Sequence, residues 1–410
     1  MPDPDYPYSC FRPLLAADKS WAALDWSIAG SQPTDASDLV RCFVDAGAAP
    51  LASSLPLVLS IDPVWLTENE FIDKFEVDQA IFVLSAAALD DGPTVEACRR
   101  WRKKGRHLAL QLDSPDLVKR IPPALFDHLS LDAAFARYQL PAFDLILLEQ
   151  AGCRKIATGV GSAALFEWLV DNRFDYADSS FVTINDPLGE GPPDLARLSV
   201  LRLLNLVLQD ADSRDIEEIF RQEARLSYNL LRLVNSVAVG ARTEIGSFHQ
   251  AIALLGRRQL QRWLQLLVYA DQLAHGNQPN PLLQLAAARG RQMELLAAAS
   301  ASTSDSPEVA DAAFITGTFS LLDILLKMPI GDILEELPLP SDIADALSSG
   351  KGVLGALLAV VVAGESRDWA PAKELLVGLG IRAADHAKAQ VGAFYWASRI
   401  NTAKSAHAAA

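Results

Sequence analysis

The chain is poor in cysteine and histidine, the side chains that build most disulfide scaffolds and zinc sites. It has 4 cysteines and 6 histidines in 410 residues. The cysteines are scattered along the first half, at Cys10, Cys42, Cys98 and Cys153. Widely spaced cysteines in a long chain are typical of a protein from a reducing compartment. They favour neither a disulfide framework nor a zinc site.

Positive charge and long apolar runs are also scarce. The chain has 36 lysines and arginines against 51 aspartates and glutamates, a net charge of -15. Such a balance removes the usual basis for non-specific binding to nucleic acid or to an anionic membrane. The most apolar run, residues 353–363, contains Gly355 and is too short to cross about 30 Å of hydrocarbon. Because the amino terminus also lacks a signal-peptide pattern, we expect a cytoplasmic protein.

What the chain does have is enough apolar residues for two cores. Half of its residues are hydrophobic, and 410 residues exceed what one ordinary core organises. In the first half, short apolar runs alternate with helix-like segments, which predicts parallel strands with crossover helices. The predicted strands cover residues 55–62, 80–86, 107–113, 143–149, 155–160 and 180–185. An ideal eight-fold barrel takes about 250 residues, so about 190 residues predict a trimmed or irregular one.

The second half, residues 195–400, reads as nearly all helix. Its clearest stretch is 226–270, where apolar residues recur every three or four positions, as on one face of a helix. Ser247 and Gln250 have the spacing of a capping box, and Gly240 and Gly256 fit helix ends. The order of these pieces strongly resembles the HDOD domain. That family is an all-helical relative of the HD metal-dependent phosphohydrolases that lacks their metal ligands, and it occurs in bacterial signalling proteins.

The first half resembles a second family, the EAL domain, over most of residues 8–187. The resemblance is carried, in order, by FRPLLAADKSWAALDW, GRHLALQLD, FDLILLE and RFDYADSSFVTINDP. An intact EAL domain is a modified barrel that hydrolyses the second messenger cyclic di-GMP. The resemblances together imply a bacterial signalling protein with an EAL-like TIM-type barrel in residues 1–187, a linker at 188–194 and an all-α HDOD domain in 195–410.

The same resemblance implies that the metal site of the barrel has been lost. In the family, acidic residues and a lysine surround the barrel mouth, and metal-assisted hydrolysis needs several such carboxylates. The corresponding positions in this chain are Ala23, Asp62, Ser85, Gln111, Leu112, Leu147, Thr158 and Asp178. Most of these side chains cannot bind a cation. We therefore expect a degenerate EAL-like domain with no metal or other cofactor, in a protein that is not an enzyme.

An alternative remains open at the ends of three predicted strands. Asp62, Asp113 and Glu149 follow strands at the side where barrel enzymes keep their catalytic groups. Three acids there could hold Mg²⁺ and support a residual cyclic di-GMP phosphodiesterase. The interpretation that we favour is that these acids cap the following helices or face solvent.

The helical half resembles a phosphohydrolase whose metal ligands are replaced. The histidine of one helix falls at about Arg289, and the His-Asp pair of the next falls at about Ser320 and Leu321. Arg289, Arg291 and Glu294 occupy the former site, where arginine could bind a phosphate or a partner's carboxylate. The plainer interpretation is an ion pair between Arg291 and Glu294, which are three residues apart and so adjacent on a helix.

These observations predict a non-catalytic signal-transduction protein that acts as a scaffold or relay for other signalling proteins. Whether the barrel-like half binds cyclic di-GMP as a sensor is left open, as is the oligomeric state. We expect no nucleic-acid partner and no membrane partner.

Overall fold

Two compact units divide the chain, one over residues 3–184 and the other made mainly of residues 185–410. We call them the barrel unit and the helical unit. The computed structural model describes residues 6–29, 36–67, 69–122, 124–184, 257–270, 279–304, 306–337 and 339–400, together with residues 231, 234 and 250. The predicted linker at 188–194 and most of the stretch 226–256 lie outside the described residues.

Eight strands close the barrel unit in their sequence order. Strand β1 pairs antiparallel with both β2 and β8, and every other neighbouring pair is parallel. The strands are β1 (Tyr8–Leu15), β2 (Trp21–Ala29), β3 (Leu57–Ser60), β4 (Ala80–Leu84), β5 (His107–Leu112), β6 (His128–Asp132), β7 (Arg154–Thr158) and β8 (Tyr176–Asp178). The predicted α/β TIM-like barrel is thereby confirmed, and the antiparallel first strand is its irregular feature.

Short helices and 3-10 turns join the strands on the outside. The helices are α1 (Ala36–Asp45), α2 (Ala49–Ser54), α3 (Asn69–Ile72), α4 (Gly92–Lys103), α5 (Pro115–Val118), α6 (Ala133–Tyr138), α7 (Ala142–Gln150) and α8 (Ala163–Asp171). Helix α4 shows why such a segment is helical: Asp91 accepts a hydrogen bond from the Thr94 N–H at 3.0 Å, which caps its first turn. The buried Trp101 at its other end donates Nε1–H to the Leu66 carbonyl at 2.8 Å, which fixes α4 to the barrel.

Two predicted strands are wrong. The sequence predicts a strand over residues 143–149, but that segment lies in α7. Pro141 precedes α7 with an extended backbone, and a short apolar run between turn signals fits a helix as well as a strand. The sequence also predicts a strand over 180–185, where the structure has a 3-10 turn, Ser180–Thr183, just after β8.

The described part of the helical unit contains helices that pack mainly around one long central helix. In chain order they are α9 (Arg257–Ala270), α10 (Pro281–Ala299), α11 (Pro307–Phe319), α12 (Leu322–Leu326), α13 (Ile330–Glu336), α14 (Ser341–Ser349), α15 (Gly352–Ser366), α16 (Trp369–Gly378) and α17 (Ala383–Ser398). Helix α10 is buried along most of its length because α11 and α17 pack against it. Asn280 caps it by accepting a hydrogen bond from the Leu283 N–H at 3.0 Å.

Helices α10 and α11 come together at two glycines. A Cβ on Gly290 would lie 2.9 Å from the Phe314 carbonyl oxygen, and a Cβ on Gly317 would lie 2.7 Å from the Arg289 carbonyl oxygen. No side chain larger than hydrogen fits at either position, so the two backbones touch directly.

One described helical stretch, Pro307–Leu326, is long and apolar enough to cross a membrane by length and composition alone. Of its apolar window, 61% is buried inside the unit. This burial is typical of a core helix in a soluble protein, because a spanning helix would present its apolar side chains to lipid.

Candidate functional site

The inside of the barrel is layered, and the layers define its two ends. A buried apolar cluster fills the middle of the barrel; its members are Leu14, Ala23, Val58, Ile81, Val83, Ala109, Ile156 and Tyr176. Because strand side chains alternate between faces, residues two positions away also point inward. Towards the carboxyl ends of the parallel strands these inward positions are polar: Arg12, Asp25, Ser60, Ser85, Gln111, Thr158 and Asp178. We call this polar layer the mouth, and barrel enzymes keep their active sites at this end.

A buried ion pair forms part of the mouth. Arg12 Nη1 lies 3.0 Å from Asp178 Oδ2, and the Asp178 side chain is 1% exposed. The backbone N–H of Ser180 donates to Asp178 Oδ1 at 2.7 Å, and the Ser180 hydroxyl donates to the same oxygen. Asp178 is thus held from two sides, while 20% of the Arg12 side chain remains accessible from solvent. The pair places a guanidinium, the side chain best suited to phosphate, at this end of the barrel.

A glycine-containing loop between β7 and α8 forms another side of the mouth. Gly159 has a φ of +67°, and a Cβ there would lie 2.7 Å from Asp132 Oδ2. The loop ends at Ser162, whose hydroxyl accepts a hydrogen bond from the Leu165 N–H at 3.2 Å and begins α8. Backbone N–H groups at such a helix start attract anions. Asp132 itself caps α6 by accepting from the Phe135 N–H at 2.9 Å.

The three acids singled out in the sequence are not brought together. Asp62 and Asp113 do follow β3 and β5, but both side chains are exposed. Asp62 accepts a hydrogen bond from the Val64 N–H at 3.0 Å, which stabilises the turn after β3. The placement of Glu149 at a strand end is wrong, because the residue lies on the exposed side of α7, 2.9 Å from Arg173. Among the described residues, the one group of ligand side chains close enough to share a cation contains none of these acids.

Sequence reasoning missed mouth residues because it missed four strands, β1, β2, β6 and β8. Strand β6 ends at Asp132, which pairs with Thr158 of β7 and therefore shares its face. The segment HLSLD alternates polar and apolar residues, which is a strand pattern. Its histidine and serine interrupt the apolar run by which the other strands are predicted. In the same way β1 and β2 place Arg12 beside Asp25. Leu147, the position assigned to the family's lysine, lies in α7 and on no barrel strand.

In the helical unit, the region of Arg289, Arg291 and Glu294 is filled by ion pairs. Arg289 is buried and donates Nε–H and Nη2–H to the two oxygens of Glu365 at 2.8 and 2.7 Å, and Nη1–H to Ser320 Oγ at 2.9 Å. Burial acts to lower the pKa of Arg289, but the Glu365 carboxylate outweighs this and raises the pKa above its ordinary value. The guanidinium at this position thus already has two hydrogen bonds to a carboxylate of its own chain.

A second charged cluster lies on the same helix. Arg291 Nη1 lies 2.6 Å from Glu294 Oε2, and Arg262 of α9 binds the other oxygen of Glu294. Arg262 also lies 3.3 Å from Asp311 of α11. Arg262 therefore links α9 to both α10 and α11 through charge, and any partner carboxylate would compete with Glu294 for Arg262 and Arg291.

Comparison with known proteins agrees with this architecture. Residues 197–325 match the HDOD domain. The chain is 31% identical over 192 residues to the "Cyclic di-GMP phosphodiesterase CdgJ" of Vibrio cholerae, covering 47% of this chain and 43% of that protein. It is 26% identical over 349 residues to the "Uncharacterized protein YuxH" of Bacillus subtilis, covering 82% of this chain and 78% of that protein.

Solved structures include a similar one, the EAL domain of Mycobacterium smegmatis DcpA. The identity is 15% and the TM-score 0.33, covering 43% of this chain and 89% of that one. The fold assignment rests on the strand order itself, since a TM-score below 0.5 adds no argument. The chain thus combines an eight-stranded EAL-like barrel with an HDOD region.

One sequence-based prediction is overturned by these relatives. The empty metal positions predict that the protein is not an enzyme, but a relative of 31% identity is named a phosphodiesterase. One of the positions used for that prediction, Leu147, also came from a misplaced strand. The match spans less than half of that relative's length.

Proposed function

We propose that this chain is a cytoplasmic signal-transduction protein that binds cyclic di-GMP at the mouth of its barrel and passes the signal on through protein contacts of the helical unit. The relation to a named cyclic di-GMP phosphodiesterase links the chain to cyclic di-GMP signalling. Binding at the mouth and relay through the helices are our proposals.

The Arg12–Asp178 pair is the observation that carries the proposal for the barrel. Cyclic di-GMP presents two phosphodiester groups, each with a negative charge, and a guanidinium binds such groups with paired N–H donors. Asp178 fixes the orientation of Arg12, so little side-chain freedom is lost when an anion binds. The N–H groups of the Gly159 loop offer a second anion contact at the same end of the barrel.

Calorimetric titration of the purified full chain with cyclic di-GMP tests this proposal. Replacement of Arg12 by Gln keeps a polar side chain but removes the charge, and a charge-assisted hydrogen bond contributes about 1.5–3 kcal/mol. We expect affinity to fall by roughly 10- to 100-fold. Arg154→Gln is the matched control, because Arg154 begins β7 at the other end of the barrel. Absence of binding to the unaltered chain, or equal affinity of the Arg12 variant, would contradict the proposal.

Hydrolysis of cyclic di-GMP is the second candidate function. Two observations favour it: the named phosphodiesterase relative, and the acids of the mouth, which are Asp25, Asp132 and Asp178. Incubation with cyclic di-GMP and Mg²⁺ or Mn²⁺ should then yield a linear dinucleotide. Turnover lost in Asp132→Asn and kept in Glu149→Gln would establish this function. If the chain binds cyclic di-GMP but leaves it intact after prolonged incubation, hydrolysis is excluded and binding as a sensor remains.

The scaffold role of the helical unit is supported by its charge network. In the described part of that unit, Arg289 and Glu294 are each bound by side chains of other helices. Such buried networks hold the helices in fixed positions relative to one another, and grooves between helices can dock segments of partner proteins. A pull-down from native cells with the full chain, with and without cyclic di-GMP, should recover another signalling protein. Recovery of none under either condition would count against relay.

A further inference from the structure

The end of the barrel opposite the mouth carries a cluster of two histidines and an aspartate. His107 begins β5, and Asp127 immediately precedes His128, the first residue of β6. Strands β5 and β6 are parallel neighbours, so their first residues lie side by side. The two imidazole rings are 5.7 Å apart, and their planes stand at 88° to each other.

The three side chains converge on one point. His107 Nδ1 lies 2.5 Å from Asp127 Oδ2, and His128 Nδ1 lies 3.2 Å from Asp127 Oδ1. One ligand atom from each residue lies within 4.8 Å of the others. The carboxylate thus stands between two imidazoles and presents one oxygen to each of them.

The burial of His128 is not explained by hydrogen bonds to other described residues. Its side chain is 3% exposed, and neither ring nitrogen has a hydrogen-bond partner among the described residues, because the approach of Nδ1 to Asp127 lacks hydrogen-bond geometry. One face of the ring packs on Tyr176, with ring centroids 6.0 Å apart. A buried polar ring without a partner lowers stability, and such groups in folded proteins often contact an ion or a water molecule.

We propose that His107, Asp127 and His128 form a binding site for a divalent transition metal ion, with Zn²⁺ as the best fit. Imidazole nitrogens and carboxylate oxygens are the ligands that Zn²⁺ shares with Co²⁺ and Ni²⁺. Zn²⁺ holds such atoms at about 2.0–2.2 Å, so two of its ligand atoms lie about 3.3 Å apart. The distance from His128 Nδ1 to Asp127 Oδ1, 3.2 Å, is close to this value. The distance from His107 Nδ1 to the other oxygen, Asp127 Oδ2, is 2.5 Å and must open by about 0.8 Å.

The surroundings of His107 supply the outer contact that metal-binding histidines commonly have. Its other nitrogen, Nε2, lies 3.3 Å from Asp78 Oδ1, and the Asp78 side chain is 92% exposed. When Nδ1 binds the ion, Nε2–H donates to this carboxylate, which fixes the tautomer and strengthens the ligand. The Leu108 N–H donates to Asp127 Oδ1 at 2.9 Å and orients the carboxylate between the rings.

One neighbour opposes the bound cation. Arg102 Nη1 lies 3.0 Å from Asp127 Oδ2, so its charge repels a metal ion at the same carboxylate. Removal of this charge should therefore strengthen binding. If the cluster only formed hydrogen bonds and bound no metal, removal of Arg102 would not increase metal affinity. Arg102→Gln therefore distinguishes a metal site from a purely structural cluster.

A repeat of the same local structure provides a matched control. Asp175 immediately precedes β8, as Asp127 precedes β6, and accepts the Lys155 N–H of the neighbouring strand at 2.8 Å. Arg154 lies beside it, with Nε at 3.4 Å from Oδ1. No histidine of the described residues shares a metal-ligand group with Asp175. Asp175→Asn therefore removes the same strand contact without touching the proposed site.

The test is calorimetric titration of the full chain with Zn²⁺, together with the visible absorption spectrum after addition of Co²⁺. We expect one bound Zn²⁺ and at least a tenfold loss of affinity in both His107→Gln and Asp127→Asn. Arg102→Gln should bind at least threefold more tightly, and Asp175→Asn should match the unaltered chain. Zn²⁺ should also raise the melting temperature of the unaltered chain more than that of His107→Gln.

Two outcomes would overturn the proposal. One is no Zn²⁺ binding by the folded chain; the other is binding whose affinity does not change in His107→Gln or in Asp127→Asn. His107 is only 31% exposed yet lies at the surface rim of the cluster, so its Gln variant should fold even if a His128 variant does not. The proposed site lies at the far end of the barrel from the mouth, so its test is independent of nucleotide binding.

Discussion

Acidification should destabilise the helical unit through one buried histidine. His386 lies in α17 and is 2% exposed. Burial lowers its pKa from 6.5 to about 4, because the charged imidazole loses its hydration there. Above pH 6.5 the histidine is neutral in both the folded and the unfolded chain. Between pH 6.5 and about 4, only the unfolded chain binds the proton, so stability falls as the pH falls.

The size of the effect follows from the shift in pKa. A shift of one unit corresponds to about 1.36 kcal/mol, and the difference between 6.5 and about 4 is about 2.5 units. Full passage through this window should therefore lower the free energy of unfolding by about 3 kcal/mol. Within it the slope should be about 1.4 kcal/mol per pH unit, the value for one proton.

Urea unfolding at several pH values between 7 and 4.5 measures this slope. His386→Leu fills a similar volume and cannot bind a proton, so its slope should be smaller by about one proton. The remaining five histidines and all carboxylates contribute equally to both proteins. Because two units need not unfold together, the transition that moves in the variant is assigned to the helical unit. Identical slopes in the two proteins would refute the reasoning.

Three further changes have defined outcomes. Gly317→Ala would place a Cβ against the backbone of Arg289, so urea unfolding should show a loss of about 1–3 kcal/mol from overpacking, and an unchanged midpoint would contradict the direct backbone contact. Glu365→Gln leaves the buried Arg289 guanidinium without its counter-charge. Since Glu365 is 29% exposed, the free energy of unfolding should fall by about 2–3 kcal/mol, less than for a fully buried pair. Stability equal to that of the unaltered chain would show that the pair is dispensable. Gly159→Ala strains a left-handed residue at the mouth and should weaken cyclic di-GMP binding at least tenfold in a calorimetric titration, whereas Gly161→Ala, which has open space and an ordinary φ, should bind as before.

Strands β3, β4, β5 and β7 could be predicted from sequence because each is a short run of apolar residues in a parallel sheet. Strand β6 could not, since His128, Ser130 and Asp132 of its five residues point to the inside of the barrel and are polar. An apolar helix outside the barrel took its place in the prediction. Polar residues that point into the barrel can have a functional role, and they are thus also the residues that make a strand hard to predict from the sequence.

The candidate site was only partly predictable. The sequence places Asp62 and Asp113 correctly after strands β3 and β5, but a residue beyond a strand end can turn towards the mouth or towards solvent. Inward residues within the strands, such as Arg12 and Asp178, are fixed by barrel closure and by the antiparallel pairing of β1. That pairing joins residues more than 160 positions apart, and no local pattern in the sequence reveals it.

The glycine contact between α10 and α11 has a consequence for how the helical unit can transmit motion. Two helices separated by a layer of side chains can slide as rotamers change, but Gly290 and Gly317 leave no such layer at the crossing. At the crossing, the helices therefore cannot shift along each other without a backbone clash. A displacement of one helix by a docked partner would therefore be passed directly to the other helix.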